Sequence, residues 1–272
     1  SFLPLSKRLG SAEGVPELRV AEYPGTLAIE PEAVIRENFR KLTFDQIVHA
    51  LTRSAGGRAA TGRDAGEFTA TLEELHELFH EKQWTDGLPF VPPTREKVQE
   101  FLRYTDRAPD EEIGVLSPGK LRASPFKIAV NGVMAGCRPE HMPILIAAVE
   151  ALADPHFNLE QIGTTGGNNP FLLVNGPIIK QLGLEYGIAL ASRGPNPAIG
   201  RAVGLILRNI ADLRPGGQYM GTFGYLLPFI FAEDEDGSPW EPYHVEQGFD
   251  PNTSTVTARS TFNWGGQVFP SG

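Results

Sequence analysis

Apolar residues at positions 34, 35, 39, 42, 47 and 51 recur at near-helical spacing and predict a helix over 30–52. A second amphipathic pattern covers 69–84, "TATLEELHELFHEKQW", and stops at "TDGLPFVPPT". Pro92 and Pro93 forbid helix there, and Thr94 is placed to cap a third helix, "REKVQEFLRYT". Two short apolar runs follow, "EIGVLS" and "FKIAVNG", and both read as strands. From there to about residue 231 strand-like and helix-like patterns alternate, and one late strand, "STVTARSTF", closes the series. The expected fold class is α/β: a layered sheet with flanking helices and Gly-rich ligand loops. An extended N-terminal arm and a helical segment precede it.

Residues 1–30 carry three prolines and seven scattered apolar side chains, from Phe2 to Val20, with no period. Such an arm cannot bury itself by local folding and needs a surface on its own domain or on another chain. "RSAGGRAATGRDAGE" (53–67) reads as a linker. The expected division is therefore 1–60, arm and helix, and 68–272, the main α/β domain. The chain starts at Ser1 and not at Met, which suggests that something upstream was removed or is separately encoded. A homo- or hetero-oligomer involving the arm is the expectation.

Two stretches echo each other. "SPFKIAVNGVMAG" and "NPFLLVNGPIIKQLG" each begin with Pro-Phe and reach Val-Asn-Gly. Each is followed by a small polar residue and Arg, at Cys137 and Arg138 and at Ser192 and Arg193, then by a long apolar helix. One reading is an ancient duplication; the other is that any two βα units share Gly turns and Pro at helix starts.

Composition narrows the function classes. The 272 residues carry a net charge of −9 and no Lys/Arg run, which argues against nucleic acid and anionic membrane surfaces as partners. The apolar runs at 142–153 and 224–232 fall short of the roughly 20 residues a spanning helix needs. The opening residues do not read as a secretory leader. A single cysteine allows no internal disulfide, which suits the cytoplasm.

Cys137 lies between a Gly turn and a helix-like run that opens with Pro139. A helix N-terminus and Arg138 would lower a thiol pKa, and His141 could accept its proton. The alternative is a small buried core residue. The loops "GTTGGNNP" (163–170) and "ASRGPNP" (191–197) could cradle a carboxylate or phosphate with backbone N–H groups and Thr or Asn side chains. Tight turns are the competing reading. The candidate binding residues are Asn131, Thr164, Thr165, Gly166, Gly167, Asn168, Asn169, Ser192, Arg193 and Asn196, and the two loops are expected around one pocket. A third Gly-rich stretch is 214–224. "HELFH" (76–80) matches the zinc-hydrolase pattern HExxH, with Glu77 as base between His76 and His80. Its apolar neighbours Leu72, Leu75 and Phe79 point instead to packing under the "DGLPFVPP" loop, and no metal is expected there. "AEDEDGSPWEPYHVEQGF" (232–249) is either a solvated acidic turn or the rim of a pocket using Trp240, Tyr243 and His244.

The blocks "WTDGLPFVPPT", "VNGVMAGCRPEHMPILIAAVEAL", "GNNPFLLVNGPI", "AIGRAVGLILRNI" and "SPWEPYHVEQGF" together resemble the large region of the UGSC family of bacterial selenoproteins and their Cys counterparts. Residues 20–52 resemble the segment that follows the redox motif in longer members. The family is named for a Sec/Cys-Gly-Ser-Cys motif, which this chain lacks. The resemblance implies a redox or thiol-linked enzyme, with the motif on a separate chain or dispensed with, and it names no substrate.

The combined expectation is an enzyme or enzyme subunit acting on a small polar or anionic molecule. Cys137 would be nucleophile or metal ligand, His141 would move protons, and Arg138 and Arg193 would hold an anionic group. The alternatives are a zinc-dependent hydrolase using HELFH and a non-catalytic scaffold subunit. No particular cofactor is indicated.

Overall fold

The computed structural model describes residues 23, 30–41, 48, 69–164, 167–188, 192–221 and 228–261. The chain divides into two compact units, Ser1–Gly66 and Glu67–Gly272. In the first, helix α1 spans Glu32–Lys41. Tyr23 and Asn38 both donate to Glu30 Oε2, at 2.8 and 3.3 Å, and the Tyr23 ring lies 5.2 Å from Phe39. Apart from Val48, the rest of the expected 30–52 helix lies outside the described residues, as does the arm apart from Tyr23 and Glu30.

In the second unit, α2 spans Leu72–Glu81. Thr71 and Glu74 form a reciprocal capping box that satisfies two N–H groups at the helix start. Such a cap contributes about 1 kcal/mol. Phe79 stacks on Phe90 at 4.6 Å and meets Trp84 edge-on at 5.3 Å, and His76 stacks on Phe90 at 4.5 Å. The HELFH helix is thus packed beneath the Pro-rich loop. Helix α3, Arg95–Leu102, starts at its expected cap, Thr94, and buries Val98 and Phe101.

Strands β1 (Gly114–Leu116) and β2 (Leu121–Ala123) pair as an antiparallel hairpin. The second expected strand of this region, "FKIAVNG", is instead the buried helix α4, Pro125–Ala135. A short continuous apolar run does not distinguish a buried strand from a buried helix. The deciding signals are at its ends: the Ser124 side chain accepts from Lys127 N–H, Pro125 sits in the first turn, and Gly136 ends the helix at φ 82°. The internal echo therefore pairs a helix with a strand over its Pro-Phe to Val-Asn-Gly portion, which removes the structural basis for a duplication.

A 3₁₀ turn at Pro139–His141 leads into α5, Met142–Ala153. Strand β3 (Asn169–Asn175) is followed by the short α6 (Ile178–Leu182) and by α7 (Asn196–Asn209). Strand β4 (Phe229–Ala232), the one-turn α8 (Tyr243–Glu246) and β5 (Thr255–Thr261) complete the chain order. The main sheet has the order β4-β3-β5. β3 and β4 run parallel, with Phe171 opposite Phe229 and Val174 opposite Ala232; β5 is antiparallel to β3. The sheet is smaller than the alternating pattern suggested, and the α/β class holds.

Helix α7 packs on β4 and on α4, while α5 packs on β5 and α4. Fully buried Ile128, Leu145, Leu172, Ile199 and Leu205 fill the space between them. Each such side chain contributes about 1.5–3 kcal/mol. At Gly200 a Cβ would stand 2.2 Å from the Pro228 carbonyl oxygen. Gly200→Ala is therefore expected to destabilise the fold by about 1–3 kcal/mol through overpacking, with no gain from its better helix propensity. Urea unfolding of the two proteins checks this.

Candidate functional site

Cys137 does not stand exposed at a helix start. Its N–H donates to Gly132 O at 3.0 Å, closing the C-terminal turn of α4, and the residue is 9% exposed. Burial pushes its thiol up to about 12, against a smaller opposing effect from Arg201. The negative end of the α4 dipole adds to the disadvantage of a thiolate. These conditions oppose those the nucleophile expectation required.

His141 is also buried. Its Nδ1 accepts from Arg138 N–H at 3.2 Å, so the ring holds the 3₁₀ turn in place. Burial, with Arg138 assisting and Glu140 opposing, lowers its pKa to about 4. The proton then resides on Nε2, which is buried without a partner among the described residues. The Arg138 guanidinium lies 3.2 Å from Glu140 and donates to Leu182 O at 3.3 Å. Arg193 reaches Glu185 at 3.9 Å, so both arginines engage the 182–185 turn.

The remaining expected binding residues are largely architectural. Asn196, 1% exposed, bonds to the Glu185 N–H and carbonyl and to Ile230 O. Asn131 donates to Lys127 O and accepts from Asn209, whose amide also donates to Trp84 O. Tyr219 OH donates to Asn168 O and, at 3.4 Å, to Asn169 Oδ1. Gly167 N–H closes a turn onto Thr164 O, and Ser192 is exposed. Thr165 and Gly166 lie outside the described residues. The 163–170 loop packs against the 213–220 segment, whereas 192–197 packs against Glu185 and β4, so the two loops have different neighbours. Their expected convergence on one pocket is not what these contacts build.

A different cluster forms at the carboxyl end of the parallel pair β3 and β4, the position where open α/β sheets place ligands. Asn175 ends β3 and is fully buried. Its Nδ2 donates to Glu233 Oε2 and, at 3.1 Å, to Glu235 Oε1. Glu235 Oε1 also accepts Gly176 N–H at 2.7 Å, and Glu233 Oε2 accepts Tyr243 N–H at 2.9 Å. Gly176 adopts φ 88°, and a Cβ there would approach Thr253 O to 2.5 Å, so only glycine lets the chain turn under the two glutamates. Lys180 pairs with Asp236 at 2.6 Å. A cavity of about 270 Å³ opens beside them, lined by Gly176, Lys180, Tyr186, Glu233, Glu235 and Asp236 among others.

His244 completes the cluster at 2% exposure. Its Nε2 lies 3.4 Å from the Pro251 carbonyl, which can only accept, so Nε2 donates in that contact. Its Nδ1 lies 3.6 Å from Glu235 Oε1, within ion-pair reach but beyond hydrogen-bond distance. Asn175 Oδ1 is likewise buried without a partner among the described residues. Of this cluster the two glutamates line the cavity. The sequence reading named His244 and the acidic segment as a possible pocket rim but missed Asn175, 58 residues from Glu233. Trp240, named with them, is 78% exposed.

Among the described residues no three His, Cys, Asp or Glu side chains are arranged to hold a metal ion, and no helix is long and apolar enough to cross a membrane. Neither protein-family models, nor curated proteins, nor solved structures gave a match to the chain.

Two outcomes follow from the buried Cys137 and His141. The Cys137 thiol is expected to react with a disulfide reagent at pH 8 at least about 100-fold slower in native protein than in urea; a native rate equal to that of a free thiol contradicts the burial argument. His141 binds fewer protons folded than unfolded between its ordinary 6.5 and about 4. Stability is therefore lost as pH falls through that window and levels off below it. His141→Gln removes this contribution, so the difference in urea midpoint between the two proteins should change with pH only across that window.

Proposed function

We propose that the chain is an enzyme or enzyme subunit that binds a small polar molecule at the carboxyl end of β3 and β4 and moves a proton on it through Glu235 and His244. The observation that carries this reading is the approach of the buried His244 Nδ1 to within 3.6 Å of Glu235 Oε1, a carboxylate that lines the cavity. A carboxylate at the cavity wall accepts an N–H or O–H from a bound molecule, a charged hydrogen bond of about 1.5–3 kcal/mol. Glu235 meets the molecule directly and His244 adjoins Glu235, and a carboxylate and an imidazole are the two groups most used as general acid and base.

The lining shapes the substrate class. Glu233, Glu235 and Asp236 outnumber Lys180, which already pairs with Asp236. An amine or a polyhydroxyl compound suits this cavity better than the anion expected from Arg138 and Arg193. The redox and thiol-linked reading rests on the UGSC resemblance alone. A chain carrying the Cys-Gly-Ser-Cys motif would be the partner it requires, because Cys137 lacks the setting of a nucleophile.

Thermal unfolding in the presence of ethanolamine, glycerol or acetate tests the proposal. Ethanolamine or glycerol is expected to raise the Tm, and acetate is not. Glu235→Gln keeps the acceptor for Gly176 but loses the charge. It should weaken binding about 10- to 100-fold, the equivalent of a charged hydrogen bond. No shift with either donor compound, or an equal shift in Glu235→Gln, refutes the site.

A further inference from the structure

We propose, resting on the ligand site assigned above to the cavity beside β3 and β4, that the molecule it takes is an organic primary ammonium, held by Glu233 and Glu235 together. Each carboxylate is engaged on one oxygen only. Glu233 Oε2 accepts from Tyr243 N–H and Asn175 Nδ2, and Glu235 Oε1 accepts from Gly176 N–H and the same Nδ2. Glu233 Oε1 and Glu235 Oε2 have no partner among the described residues, and neither atom is buried. One amide nitrogen touches both carboxylates, so the two groups lie within two hydrogen bonds of each other, and both line the cavity.

Neither basic side chain of the cluster bonds to this pair. Three carboxylates, Glu233, Glu235 and Asp236, line the cavity against one ammonium, Lys180, an excess of two negative charges. Lys180 Nζ lies 2.6 Å from Asp236, and both side chains are 66% exposed, whereas that of Glu235 is 23% exposed. The ion pair thus belongs to the solvent rim and Glu235 to the wall further in. The buried His244 points Nδ1 at Glu235 from 3.6 Å, beyond hydrogen-bond distance, and that nitrogen has no partner among the described residues. The charge of the two glutamates is left for a group from outside the chain.

The class of that group follows from charge, donors and space. A polyhydroxyl compound donates to both oxygens but leaves their charge in place. A metal ion needs more ligands, and among the described residues no three His, Cys, Asp or Glu side chains are arranged to hold one. A primary ammonium brings three N–H donors and a full charge in one atom. Its hydrogen bonds to a carboxylate are roughly twice as strong as neutral ones. Pro177, Ile179, Pro251 and Tyr186 complete the lining and offer apolar surface to a carbon chain. The cavity, about 270 Å³, falls below the roughly 300–1,000 Å³ of drug-sized sites, so that chain is short.

Titration calorimetry at neutral pH tests this with ethanolamine, ethylene glycol and choline. Ethylene glycol replaces the ammonium of ethanolamine with a hydroxyl; choline keeps the charge but has no N–H. Ethanolamine is expected to bind at least about tenfold tighter than either. Glu233→Gln keeps an oxygen for Tyr243 and Asn175 and should weaken ethanolamine about tenfold. Lys180→Met, at an exposed position, removes a like charge from the rim and should tighten ethanolamine by about 2- to 5-fold. Ethylene glycol binding as tightly as ethanolamine overturns the ammonium assignment while the site stands. Choline binding as tightly as ethanolamine also overturns it, because charge without N–H donors would then suffice. Ethanolamine binding no tighter in Lys180→Met places the amine elsewhere and overturns the proposal. No binding of ethanolamine or ethylene glycol removes the site itself, and the proposed function with it.

Discussion

The contact on which the second unit depends is the close seating of α7 against β4, where the Gly200 backbone touches the Pro228 carbonyl. Only a residue without a Cβ permits that distance. α7 also packs on α4, so one short contact aligns the sheet with the helices behind it. Asn196, buried at the start of the same helix, secures the alignment by bonding both to the 185 backbone and to β4. The position of β4 relative to β3, and with it the convergence of Asn175 and Glu233, follows from this seating.

Buried polar groups in the unit fall into two kinds. Asn196 and the Asn131 amide nitrogen have partners that tie elements together, and their net contribution is the usual 1 kcal/mol or so per bond. Others end without a partner among the described residues, including His141 Nε2, Asn175 Oδ1 and His244 Nδ1. What distinguishes His244 is its surroundings. Its bare nitrogen faces a carboxylate that lines a cavity, while His141 sits within a packed turn whose own N–H satisfies the other ring nitrogen. A carboxylate beside open space can take a donor from a ligand; an orphan atom inside a packed turn remains a cost of the fold.

Helices with strong end signals were legible from the residues alone. Thr71 with Glu74 and Thr94 mark starts whose hydrogen bonds are local, so a short window contains all the information. Helix α4 was misread because its interior is continuously apolar and the strand expectation gave no weight to Ser124, Pro125 and Gly136 at its ends. Cys137 was misplaced for the same reason: with α4 taken as a strand, the residue looked like the entry to a helix when it is also the exit from one. The cluster at the sheet edge was beyond local reading. It requires the parallel pairing of residues 171–174 with 229–232, and nothing in either strand specifies the other at that distance. The acidic segment after β4 was visible, but only the register shows that its glutamates meet Asn175 rather than water.

The chain's strong net negative charge hides a segregation of charge within the second unit. Carboxylates gather at the carboxyl end of β3 and β4, where Lys180 is already matched by Asp236. Arginines gather along α7 and at 214, where two aspartates are outnumbered. In both places the surplus charge belongs to side chains that are partly or wholly buried, where water screens them less than at an open surface. The glutamates offset their desolvation through the Asn175, Gly176 and Tyr243 donors, and Arg201 and Arg214 through Asp86 and Asp212. The surplus carboxylates at the sheet edge favour a donor-rich molecule, in keeping with a chain whose net charge of −9 repels anions at long range.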